Sequence, residues 1–107
     1  MPDSVRVVQS FLEHLIASDY ARAVSAFDPT MRSAVNDVTL AQTWKQISDR
    51  FGEPVRHFDT RTSRTISSNA DIVYLFWDFE KERLCVRAVV DSANQIIGLN
   101  FEAPVIR

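Results

Sequence analysis

The chain has 107 residues, 46% of them hydrophobic and 24% charged, the balance of an ordinary globular protein rather than a disordered or fibrous one. That length predicts a single domain spanning residues 1–107, burying roughly two thirds of the surface its unfolded form exposes. With 12 basic against 14 acidic side chains the formal net charge is -2, so no whole-domain positive field is available to hold a nucleic-acid backbone.

Cys85 is the single cysteine, which excludes an intramolecular disulfide and leaves a Cys-based zinc site without partners. Met1-Pro2-Asp3-Ser4 lacks the basic-then-apolar order of a secretion signal. No apolar run approaches the ~20 residues that a membrane span needs. A cytoplasmic location with no membrane partner is the expectation.

From Ser4, the residues Val5, Val8, Leu12, Leu15 and Ile16 recur at helical spacing, with Asp3 or Ser4 placed to cap the first turn. Tyr20, Val24 and Phe27 make a second stripe, which Asp28-Pro29 ends because a residue before proline avoids helical angles. Pro29 then opens a short helical stretch carrying Met31, Ala34 and Val35. Thr39-Leu40-Ala41-Gln42 has the form of a capping box, after which Leu40, Trp44, Ile47 and Phe51 line one face. Gly52 and Pro54 mark the end of that third main helix.

Beyond Pro54 the pattern turns to alternation, with breaks near Ser67-Ser68-Asn69, Lys81-Glu82 and Ala93-Asn94, so four strands are expected. A two-residue turn at Lys81-Glu82 sets Glu80 against Arg83, Phe79 against Leu84, Trp77 against Val86, Leu75 against Ala88 and Val73 against Val90. A turn at Ala93-Asn94 sets Val90 against Ile97, Ala88 against Leu99 and Val86 against Phe101. One face is then apolar across three strands and is assigned to the helices. The other carries Ile72, Tyr74, Phe76, Asp78 and Glu80, then Arg83, Cys85, Arg87, Val89 and Asp91, then Ile96, Gly98, Asn100 and Glu102.

That second face is too apolar for free surface. A patch of Ile72, Tyr74, Phe76, Val89 and Ile96 bordered by Arg87, Asn100 and Asp78 predicts a symmetric homodimer; the alternative is a terminal segment or irregular loop that covers it within the monomer. The first strand, Val55 to Ile66, is polar and reads as an edge. With Phe58 inward beside Phe79, Thr60, Thr62 and Arg64 also point toward the helices. Together with Tyr20, Trp44 and Trp77 they form the expected lining of a pocket for a small apolar ligand.

The residues Asp19-Tyr20, Ala23-Val24, Phe27-Asp28, Leu40 with Trp44, Phe51-Gly52, Phe79-Glu80-Lys81, Leu84 with Val86-Arg87, Val89-Val90-Asp91, and Ile97-Gly98-Leu99 with Phe101 carry a resemblance. In this order of helices and meander the chain resembles the nuclear-transport-factor-2-like superfamily, which includes ketosteroid isomerase and the polyketide cyclases. Within it, the chain is most similar to a bacterial family of uncharacterised function whose members are often joined to α/β-hydrolases. The resemblance implies an α+β fold with three N-terminal helices packed on a curved four-stranded antiparallel sheet, a cystatin-like cone. It implies no catalytic set. Ala93-Asn94 stands where that family tends to have Asp-Gly.

An isomerase of that superfamily needs a carboxylate base in an apolar pocket opposite donors for an enolate oxygen. The inner face contains no carboxylate: Asp78 and Glu80 fall outside, and Asp28 reads as a helix cap. An acid-arginine-acid set for opening epoxides finds only Arg64 inside. His14 and His57 form no metal spacing with a neighbour, and two glycines are too few for a phosphate loop. Cys85 reads as a small apolar packing residue, and the cluster of Arg56, His57, Arg61 and Arg64 as a solvated edge, the alternative being a site for an anionic ligand or acidic partner. The sequence therefore points to a cofactor-free, non-catalytic domain that binds a small ligand or a protein. The alternative is a cyclase or isomerase acting on a small hydrophobic carbonyl compound.

Overall fold

A computed structural model of the chain describes residues 3–64 and 69–103. The order is α1 (Asp3–Ile16), α2 (Tyr20–Val24), α3 (Pro29–Ala34), α4 (Asp37–Phe51), then β1 (Pro54–Arg64), β2 (Asp71–Phe79), β3 (Arg83–Val90) and β4 (Ile96–Glu102). The strands form one open antiparallel sheet in the order β1-β2-β3-β4. This is the expected α+β architecture, and the helices-first order is consistent with the nuclear-transport-factor-2-like arrangement. The first strand's expected end at Ile66 and the break at Ser67-Ser68 lie outside the described residues.

Local chemistry sets the helix ends. Asp19 and Asp28 cap α2 and α3 by accepting from the amides of Arg22 and Met31. The fourth helix starts one turn earlier than the Thr39 capping box suggests. Asn36 is its cap, taking the Thr39 amide at 2.9 Å, because an Asn at that position satisfies an orphan donor as well as Thr does. Helix α2 stops at Val24, so Phe27 lies beyond it and bridges to Ile96.

The core lies between the helices and one face of the sheet. Val5, Val8, Leu12 and Leu15 of α1 and Leu40, Trp44, Ile47 and Phe51 of α4 meet Val73, Leu75, Phe79, Leu84, Val86, Ala88 and Val90. Phe11, absent from the expected stripe, is fully buried and lies 5.4 Å from the Phe27 ring. Trp44 packs edge-on to Phe79 at 6.0 Å and tilts against Phe101 at 6.2 Å.

Three expectations of register are corrected. Trp77 faces Leu84 and Asp78 faces Arg83, two positions from the expected pairing. The connection is longer than two residues because the amides of Glu80 and Lys81 bond to the carbonyls of Glu53 and Phe51, at the end of α4. An even shift keeps every side chain on its expected face.

At the next turn Ala88 and Val86 do face Leu99 and Phe101, but Val90 faces Ile96, and a bulge leaves Ile97 as the extra residue. Here the Asp91 carboxylate accepts the amides of Ala93 and Gln95, closing a longer loop in which Asn94 adopts φ 61°. The surplus residue is absorbed in the strand. Ile96 thereby turns into the core with no exposed surface, and Ile97 turns out, 39% exposed. The third correction is Phe58. Register breaks at Val55 and Phe58 make these the extra residues of β1, so Phe58 faces away from the helices, under the Arg83 guanidinium at 3.6 Å.

Gly52 adopts φ 83° and ψ −157°, a region open essentially to glycine, and a Cβ there would come within 2.9 Å of the Glu80 Cβ. Gly52→Ala is therefore expected to cost about 1–3 kcal/mol. Trp44→Ala, which empties a ring-sized volume in the core, is expected to cost about 3–5 kcal/mol. Urea denaturation of the two variants checks both, and a loss under about 1 kcal/mol for Trp44→Ala would contradict its core position.

Candidate functional site

The sheet face turned away from the helices is ordered in rows by the pairing. One row runs Ser63, Ile72, Val89, Gly98. The next is Arg61, Tyr74, Arg87, Asn100, and the next Asp59, Phe76, Cys85, Glu102. The last is Arg56, Asp78, Arg83. Ile72, Tyr74, Phe76 and Val89 are half-buried, and Cys85 is buried. The centre is thus an apolar stripe, with an arginine row beside a row ending in two carboxylates. Of the residues expected at an interface, Ile72, Tyr74, Phe76, Arg87, Val89 and Asn100 share this face. Ile96 does not, because the bulge turns it into the core.

The bottom row is a charged clip. Asp78 accepts from Arg83 at 2.7 Å and from Arg56 at 3.1 Å, and Arg83 in turn stacks on Phe58. The Arg83 hydrogen bond chiefly, with help from Arg56, holds the Asp78 carboxyl below its ordinary range. Asp59 is lowered likewise, first by its bond from the Arg61 side chain and then by the Thr60 amide. Burial, with Glu102 nearby, pushes the Cys85 thiol up despite Arg87, so this thiol is not activated as a nucleophile.

The six residues expected to line one pocket lie in separate surroundings. Trp44 is in the core, and Tyr20 packs against its margin at the start of α2. Thr60, Thr62 and Arg64 stand on the helix-side row of β1, opposite Leu75, Val73 and Asp71. Trp77 faces His57, ring centroids 5.9 Å apart, beside a cleft of about 150 Å³ shared with Gln9, Leu12 and Glu13. Thr62 and Arg64 line a different hollow, about 210 Å³, with Ser4, Ser63 and Asp71. There Arg64 is held by Asp71 and Asn69 at 3.3 and 3.2 Å.

Two surface cavities were not foreseen. One of about 330 Å³ is lined by Met31, Val35, Leu40, Ile47, Leu99 and Phe101 with Thr39, Thr43, Gln46 and Asn100, and no charged side chain. The other, about 430 Å³, runs along α1 past Asp3, Arg6, Val7, Ser10, Phe11 and His14 to Arg22, Ser25, Ala26 and Asn94. Its signal in the sequence is the recurrence of Arg6, Ser10 and His14 at four-residue spacing beside the buried stripe. The contribution of Asn94 depends on a loop no helical pattern reveals. Among the described residues no three His, Cys, Asp or Glu side chains are grouped to hold a metal ion, and no helix is long and apolar enough to cross a membrane.

A family model described as "Protein of unknown function (DUF3887)" matches residues 8–99, from the second turn of α1 into β4. No curated protein and no solved structure matches the chain.

Because the folded Asp78 carboxyl titrates below its ordinary value of 3.8, its ionised form favours folding. That contribution is present above 3.8 and is lost as pH falls through the lower, folded value. Asp78→Asn is expected to be less stable than the parent at pH 7 and to lose less on acidification. Urea midpoints at pH 7 and pH 3 decide it, since equal losses in both proteins would show that the clip contributes nothing.

Proposed function

We propose that this chain, which belongs to the DUF3887 family of proteins of unknown function, is a non-catalytic interaction domain that pairs with a second copy of itself through the outer sheet face. The observation that carries the reading is the contrast between the two faces. On the helix side Trp44, Phe79, Phe51 and aliphatic side chains pack into a buried core. On the outer side Ile72, Tyr74, Phe76 and Val89 form a contiguous apolar stripe that is only half-buried. Apolar surface of that kind rimmed by charge is the composition of a protein interface.

A second copy is the occupant that the charge pattern favours. The row Arg61, Tyr74, Arg87, Asn100 adjoins the row Asp59, Phe76, Cys85, Glu102. A two-fold axis lying between these rows and parallel to them sets each against the other's equivalent. Arg61 then meets the Asp59 of the second copy, Tyr74 its Phe76 and Asn100 its Glu102. Such self-complementarity is what an isologous contact requires. The order of helices and sheet supports placing the domain among the nuclear-transport-factor-2-like proteins, and the unpaired, buried Cys85 suits a reducing cytoplasm.

Tyr74→Asp puts a charge at the centre of the stripe and is expected to convert the dimer to monomer in sedimentation velocity, with the far-ultraviolet circular dichroism unchanged. A dimer that persists in the folded variant overturns the outer-face reading.

A further inference from the structure

The groove between α1 and α2 combines features that the outer face does not have. Its cavity of about 430 Å³ falls within the size range of small-molecule sites. Val7 and Ala26, half-buried above the fully buried Phe11, give it an apolar floor. Around that floor stand two guanidiniums, Arg6 and Arg22, two hydroxyls, Ser10 and Ser25, and the His14 ring, whose Nε2 lies 3.5 Å from Ser10 Oγ.

The charges there are not all spoken for. Arg22 is shared with Asp19, its Nε 3.4 Å from that carboxylate, yet its side chain stays 75% exposed. Arg6 has no ion-pair partner among the described residues. The lining itself sets two guanidiniums against one carboxylate, Asp3, and with Asp19 engaged by Arg22 the unpaired one of the two, among the described residues, is Arg6. Guanidiniums bind carboxylates through paired, charge-assisted hydrogen bonds. An apolar floor beside them selects an anion with a hydrocarbon body over a bare ion.

We propose that this groove binds a small amphipathic organic acid, its hydrocarbon part on Val7 and Ala26 and its carboxylate at the Arg6 and Arg22 rim. The site is separate from the outer sheet face, being built from the helical layer and the Asn94 loop. It supplies orientation rather than chemistry.

The test is an amide NMR titration of the whole chain with 4-phenylbutyrate, alongside its neutral twin 4-phenylbutanamide and acetate. Saturable shifts are expected at Arg6, Ser10, His14, Ala26 and Asn94 with phenylbutyrate. Binding should be about tenfold weaker for the amide and for phenylbutyrate with Arg6→Gln or Arg22→Gln, as loss of a charged hydrogen bond dictates, and at least about tenfold weaker for acetate, which lacks the hydrocarbon body. Both arginines are exposed, so the variants should keep the parent spectrum elsewhere. Equal affinity for acid and amide, shifts confined to other surfaces, or undiminished binding by both variants overturns the proposal, as does the absence of any shift.

Discussion

Ile96 ties the helical layer to the sheet through the main chain in both directions. Its amide donates to the Ala26 carbonyl at 2.7 Å, and its carbonyl accepts from the Asp28 amide at 3.1 Å. Its side chain is wholly buried. Asp28 is also the cap of α3, and Phe27 between the two packs at a tilt against Phe11 of α1. The end of α2, the start of α3, the packing of α1 and the position of β4 are thus fixed together. Breaking any of these bonds would strand a buried backbone group, which costs more than the bond itself contributes.

This junction also explains why the fold was largely legible in the sequence while its last hairpin was not. Helix stripes, the Asp28 cap, the Gly52 terminus and the alternation of β2 and β3 are local signals, set by side chains a few positions apart. The bulge at Ile97 is set by contacts between Ile96 and a segment seventy residues earlier. Alternation alone put Ile97 inside and Ile96 outside, and the error is the cost of reading a strand without its partner. Phe58 is a parallel case, since it lies under an arginine of β3.

The candidate site divides along the same line. The outer stripe follows from alternation and survives a two-residue change of register, because even shifts preserve faces. The pocket drawn from Tyr20, Trp44, Thr60, Thr62, Arg64 and Trp77 presumed space behind the sheet, and volume is not encoded in periodicity. Trp44 settles its own surroundings by meeting two phenylalanines. The groove along α1 depends on three elements meeting, one of them a loop whose shape comes from the Asp91 carboxylate.

Both border strands of the sheet carry surplus residues, Val55 and Phe58 on β1 and Ile97 on β4. Each interrupts the even spacing of main-chain donors and acceptors along a rim to which another strand would otherwise add. Growth by rim-to-rim pairing has no natural end and leads to fibres. Stacking about a two-fold axis uses up its own surface and stops at two. The irregularities that spoil the alternation of this sheet therefore also make its rims poor templates for an added strand.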